Sequence, residues 1–260
     1  RNPIAGPYVL GVSSGAKLAV GAVMIFGMKL WGCVPFGAVM TAAFVGAMLC
    51  ASFVMIVSRK IHSMAMLLVV GMMIGNVCSA ATDFFVTFAK ESDIANLTSW
   101  SMGSFSAVSW GNLRICLAVI AVCLLLCLLL AKRLQLLDDI ELFHLGGEHY
   151  AASMGVNVRR FRTALIGLSC LLAACVTALV GPISFVGIAV PYMTKKLLGT
   201  AKPMAVLPGC FLLGGVFCMA CDWIARTAFS PTELAISTVT AFFGAPVVIV
   251  MALKRGGGHR

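Results

Sequence analysis

The chain is dominated by apolar runs of about 20 residues, nearly free of charge, divided by short polar segments. A helix rises about 1.5 Å per residue, so one such run can cross the roughly 30 Å hydrocarbon core of a bilayer. Composition agrees. Hydrophobic residues make up 61% of the 260 and charged residues 11%, whereas a soluble domain carries about 25% charged residues. A soluble fold of this size could not bury so much apolar surface.

About eight spans are predicted: residues 15–31, 37–57, 64–88, 113–131, 163–180, 183–198, 204–222 and 234–253. The sixth is short and holds Pro191, so a kinked or partial span is expected there. The fold class is all-α: one polytopic transmembrane helical bundle over residues 1–260. A connection at 89–112 lies on one side, with Trp100 and Trp110 as interfacial aromatics, and a longer one at 132–162 lies on the other. Two Gly-xxx-Gly pairs, Gly11/Gly15 and Gly71/Gly75, predict close helix approaches.

The net charge of +10 does not point to nucleic acid, because the cations cluster between apolar runs. Lys and Arg favour the cytoplasmic side of a membrane. Arg59, Lys60, Lys132, Arg133, Arg159, Arg160, Arg162, Lys195, Lys196, Lys202, Lys254 and Arg255 fall on one face, as do Arg1, Lys17 and Arg260. Lys29, Lys90, Arg114 and Arg226 fall on the other. Both ends of the chain are therefore expected in the cytoplasm of a cell with this protein in its inner membrane.

Little catalytic chemistry is visible. The eleven cysteines are mostly single and inside apolar runs, which argues against a disulfide framework. Cys218 and Cys221 form one CxxC without a second pair, and Cys123 and Cys127 share a helix face; both read as packing. His144 and His149 are five apart and do not share a face, so no metal site and no cofactor are expected. No Walker-type glycine loop is present, so ATP is not bound by that route. Asp83 stands out as an ionisable residue inside a span, read as lying near its outer end or in a polar packing contact, with a proton relay as the lesser alternative.

Five motifs carry a family resemblance. Asn2-Pro3 leads into Gly11-Val12-Ser13-Ser14-Gly15-Ala16. Trp100-Ser101-Met102-Gly103-Ser104 is followed by Trp110. Gly147-Glu148-His149-Tyr150-Ala151-Ala152-Ser153-Met154-Gly155-Val156-Asn157 precedes Arg159. Gly181-Pro182-Ile183-Ser184-Phe185-Val186-Gly187 precedes Val190-Pro191. Asp222, Arg226, Glu233-Leu234 and Gly244-Ala245-Pro246 complete the set. In this order they resemble the FecCD-type permeases, the membrane subunits of ABC importers for iron-siderophores, haem and cobalamin. Tyr192 stands where the family usually has His, Lys195 where Arg is common, and Ala235 where Pro follows Glu-Leu.

The resemblance implies about ten spans, with the first two missing from this chain. It implies a dimer of permease subunits, homo- or heterodimeric, in the lipid bilayer. Two ABC ATPase subunits and an extracytoplasmic substrate-binding protein are the implied partners, and the permease is a transport component without its own ATP site. Gly147, Glu148, Tyr150, Ala151, Met154, Gly155, Val156 and Asn157 are implied to couple to the ATPase, and Arg226 to dock the binding protein; alternatively Asp222, four residues before Arg226, pairs with it along one helical turn. Asn2, Pro3, Gly11, Gly15, Trp100, Gly103, Pro182, Gly187, Pro191, Glu233, Gly244 and Pro246 are implied to be structural. The alternative is a secondary active transporter of a small solute, which would show an inverted repeat with ionisable or broken helices at the midplane; no such repeat is visible.

Overall fold

The computed structural model describes residues 11–31, 34–58, 64–105, 108–135, 158–200, 202–228 and 234–256. These form α1 (Val12–Trp31), α2 (Phe36–Ser58), α3 (Met64–Thr87), α4 (Glu91–Met102), α5 (Trp110–Gln135), α6 (Val158–Val180), α7 (Val186–Leu198), α8 (Pro203–Thr227) and α9 (Ile236–Gly256). No strand occurs among the described residues. Helices α2, α3, α5, α6 and α8 are long and apolar enough to cross a membrane, and α1 and α9 hold shorter apolar stretches. With α7, these elements correspond to the eight runs read from sequence. The connection expected at 89–112 is more than a connection, because it carries the 12-residue helix α4.

Lipid tails are as apolar as leucine, so helices in a bilayer associate through close packing and not through water exclusion. The packing here is built on small residues. Val12, Ala16 and Val20 are fully buried at four-residue spacing on α1, as are Ala43, Ala47 and Ala51 on α2; Cys170, Ala174 and Ala178 continue the pattern on α6. These three helices share the main core, joined by Leu67 and Leu68 of α3 and Leu97 of α4. Helices α7, α8 and α9 pack on one another, α5 bridges α6 and α8, and α4 reaches α9.

Both Gly-xxx-Gly pairs are used, and they meet each other. A Cβ on Gly11 would lie 3.0 Å from the carbonyl oxygen of Gly71 and 3.1 Å from the amide nitrogen of Gly75. One turn on, α1 crosses α2. A Cβ on Gly15 would lie 2.7 Å from the Gly46 carbonyl oxygen, and one on Gly46 would strike the Gly15 carbonyl and Ala19. Buried hydroxyls are satisfied within their own helices: Thr82 donates to the Cys78 carbonyl at 2.8 Å and Thr194 to that of Val190 at 2.8 Å. No backbone or hydroxyl group then seeks a partner in lipid at these points.

Candidate functional site

Helix α8 sets the two ends of the bundle. Lys202 precedes its first residue and Arg226 lies in its last turn; 25 residues separate these ends by about 37 Å, the full depth of a bilayer. Lys195 and Lys196 sit in the last turn of α7, beside the Lys202 end.

At the Arg226 end, two of the sequence motifs are knitted together. Gly103 and Gly181 both take positive φ, 73° and 85°, a region where only glycine is free of strain. Ser104 donates its backbone N–H to the Val180 carbonyl at 2.9 Å. A Cβ on Gly181 would lie 2.6 Å from the Trp100 carbonyl oxygen and 3.1 Å from the Gly103 Cα. The backbone therefore passes here without side chains between. Trp100 itself packs against the main core, while Trp110 is exposed at the start of α5.

Beside this knot lies a cavity of about 260 Å³, lined by Ser99 and Met102 of α4, Gly103–Phe105, Asp222, Ala225 and Arg226 of α8, and Leu234–Ile236. Leu234 donates its N–H to the Ala225 carbonyl at 3.0 Å, which ties the entry of α9 to the end of α8. The sequence placed Arg226 in a loop after a span ending at Asp222. The helix instead continues to Thr227, because apolar Trp223, Ile224 and Ala225 extend the run. Asp222 and Arg226 thus stand one turn apart, and Arg226 Nε donates to Asp222 Oδ2 at 2.9 Å. With side chains 42% and 27% exposed, the pair is solvated enough that its net worth is small.

The sixth run is a broken span. Residues 181–184 are non-helical, and α7 begins only at Val186. Phe185 has φ 65°, a left-handed conformation that costs an L-residue roughly 1–2 kcal/mol. It is pressed against α9: a Cβ on Gly244 would lie 2.6 Å from the Phe185 Cβ. Gly244 is eight residues into α9, about 12 Å from its end. The 13 residues of α7 add about 20 Å, so the extended segment and the short helix together span a membrane. Pro191 lies within α7 and cannot donate to the carbonyl of Gly187 four residues earlier. Gly187 is exposed, and a Cβ there would meet nothing within 4 Å. The motif pair Gly187 and Pro191 thus lacks one bond of the regular helix ladder. Pro246 similarly lies inside α9.

The most informative surface is on α3. Asn76, Ser79, Asp83 and Thr87 are all exposed, and their spacing of three, four and four places them on one helix face. Asn76 is twelve residues from the start of α3 and eleven from its end, so it stands at mid-membrane. The exposed lines of neighbouring helices differ. On α2 they are Val45, Leu49, Phe53 and Ile56; on α8 they are Phe211, Leu212, Val216 and Met219. Those faces suit lipid; the polar line on α3 does not, although Met73, Val77, Ala80 and Phe84 are exposed directly beside it. Asp83 was the only member singled out from sequence. The 3-4-4 spacing was there to find, but neutral Asn, Ser and Thr do not stand out by charge.

Among the described residues no three His, Cys, Asp or Glu side chains gather as metal ligands. Asn2, Pro3, Glu233 and the stretch Gly147, Glu148, Tyr150, Ala151, Met154, Gly155, Val156 and Asn157 lie outside the described residues.

Membrane-length helices, a broken span and one polar face at membrane depth define a multi-pass membrane protein of the transport class. The chain belongs to the FecCD transport family, whose model matches residues 1–254. It is 32% identical over 256 residues to the hemin transport system permease protein of Yersinia pestis, covering 98% of this chain and 74% of that protein. It is 33% identical over 258 residues to the vitamin B12 import system permease protein of Yersinia pseudotuberculosis, covering 99% and 73%. A solved metal-chelate-type ABC transporter in an inward-facing conformation matches with a TM-score of 0.84 and 29% identity, over 98% of this chain and 77% of that one. As a member of this family the chain is a transport component and not an enzyme; a separate subunit hydrolyses ATP. Membership also implies ATPase and binding-protein partners.

Proposed function

We propose that the chain is the membrane-spanning permease subunit of an ATP-driven importer. It passes a chelated metal ligand of the iron-siderophore, haem or cobalamin kind, delivered by a binding protein at the Arg226 end. The observation that carries this reading is the polar face of α3. Thr87 donates its hydroxyl to the Asp83 carbonyl at 3.0 Å, but Asn76, Ser79 and Asp83, exposed between mid-membrane and the helix end, need water or a polar cargo, because lipid would leave them unsolvated. A second permease subunit facing α3 would close this face into a route. The non-helical residues 181–184 fit the same logic, since irregular backbone at membrane depth is tolerated where it lines a cavity or is buried in protein. Lys195, Lys196 and Lys202 at the opposite end favour a cytoplasmic position there, with both ends of the chain on that side.

A bulky side chain tests the route. Asn76→Trp should lower transport by the reconstituted complex at least about tenfold, while Val216→Trp on the lipid-type face of α8 should leave it within about twofold. Equal effects at both positions would remove the basis for the route.

Arg226 is proposed to receive a carboxylate of the binding protein. A guanidinium grips a carboxylate through two parallel N–H groups. The internal pair engages Nε, and the two Nη groups have no other partner among the described residues. Arg226→Glu should weaken association with the binding protein about tenfold or more, and make the remaining affinity less sensitive to salt. Thermal stability in detergent should change little, because the pair is exposed. Unchanged association with a lowered melting temperature would assign Arg226 to the internal pair alone.

A further inference from the structure

The polar face of α3 carries one charge, and that charge is negative. The helix runs Met64–Thr87 without a single Lys, Arg or His. Asp83 is exposed four residues before its end. It forms no ion pair among the described residues, in contrast to Asp222. Nothing basic follows on α4 either, whose exposed side chains include Ser92, Asn96 and Ser99. The nearest cation in sequence, Lys90, is followed directly by Glu91. A carboxylate in a narrow, low-dielectric route sets the sign of the local potential where no cation pairs with it, and among the described residues none pairs with Asp83.

Resting on the route reading above, we propose that Asp83 selects cargo by charge. The route takes neutral or cationic metal chelates in preference to anionic ones, which among the cargo classes above disfavours haem, whose propionate groups are anionic. A ligand bearing free carboxylates would meet Asp83 near one mouth and then find only uncharged side chains, Ser79, Asn76 and Met72 with apolar Val77, Ala80 and Phe84 beside them. A chelate with a free ammonium group would gain at the same point. Asp83 is thus a specificity-determining residue of the permease, acting after the binding protein has made its own choice.

The local potential can be read without knowing the ligand. Cysteine is introduced at Ser79, one turn from Asp83, in the assembled complex with its ATPase and binding protein. Its reaction is timed with two methanethiosulfonate reagents of similar size, one bearing trimethylammonium and the other sulfonate. The chain has eleven native cysteines, so modification is quantified on the peptide that contains the introduced one. Thr87→Cys provides a second position one turn away on the other side, and Leu49→Cys a lipid-facing control. With Asp83 present, the cationic reagent should react about tenfold faster than the anionic one, relative to a free thiol in solution. In the isosteric Asp83→Asn background that ratio should fall to the solution value. Reaction at Ser79→Cys and Thr87→Cys without charge preference, or with a preference that survives Asp83→Asn, overturns charge selection and leaves the route standing. No reaction with either reagent at both positions overturns the route itself.

Discussion

Gly46→Leu is expected to destabilise the bundle strongly. The reason is that α1 and α2 cross with backbone against backbone. A first side-chain carbon at Gly46 would strike the Gly15 carbonyl and the Ala19 Cβ, and one at Gly15 would lie 2.7 Å from the Gly46 carbonyl oxygen. A carbonyl in a helix cannot swing aside as the tip of a lysine can, so the helices must separate. Separation would break the small-residue ladder of Val12, Ala16 and Val20 against Ala43, Ala47 and Ala51. In lipid this packing has no hydrophobic driving force to replace it. Overpacking a tight core costs about 1–3 kcal/mol and occasionally more, and leucine adds three carbons beyond the Cβ. The expected loss is at the top of that range, about 3 kcal/mol, a large fraction of the roughly 5–15 kcal/mol that holds a native protein together. Equilibrium unfolding in mixed micelles measures it. Gly37→Leu is the control, because a Cβ at Gly37 on the same helix would meet nothing within 4 Å. If both variants unfold alike, the crossing is not the constraint described.

Ala151→Arg is expected to separate ATP hydrolysis from transport. The segment Gly147–Asn157, proposed as the coupling element, places Tyr150, Ala151 and Met154 at i, i+1 and i+4. On a short helix that spacing makes one compact apolar face, and Gly155 is suited to end it. A conformational signal from an ATPase needs a rigid contact that both subunits hold through the cycle. An arginine in the middle of such a face would bury an unpaired guanidinium, which costs several kcal/mol and opens the contact. Transport in proteoliposomes should fall below about one-tenth of the unmodified value, a change of at least roughly 1.4 kcal/mol. The permease should still reach the membrane, and ATP hydrolysis by the complex should persist. Normal uptake by this variant would show that the segment is an ordinary solvated connector.

Much of the fold was legible because the solvent imposes it. Lipid allows few ways to satisfy a backbone, so apolar run length alone located every helix that crosses the bundle. The Gly-xxx-Gly pairs also announced close approach, and both are used. What the pattern could not show was partnership: that Gly11 meets Gly71 and Gly75 while Gly15 meets Gly46. Helix α4 was hidden in a polar connection, since its 12 residues are too few and too polar to register as a span. Arg226 was misplaced by one turn for the opposite reason. Charge ends the apolar run at Asp222, but the spacing of four already allowed Arg226 to pair with Asp222 along one turn, and the helix continues far enough for that pair to form.

Composition and motif order were sufficient for the class of protein, its helical nature and its family, because each depends on residue type and spacing along one chain. The meeting of Gly103 with Gly181, the pressing of Phe185 on Gly244 and the grouping of Asn76, Ser79, Asp83 and Thr87 on an exposed face required the tertiary structure. Whether a polar residue in a span faces a neighbour, lipid or an aqueous route depends on which other helices cover it. That is decided by backbone approach between segments as distant as α1 and α3, or Phe185 and α9, and no local pattern records it.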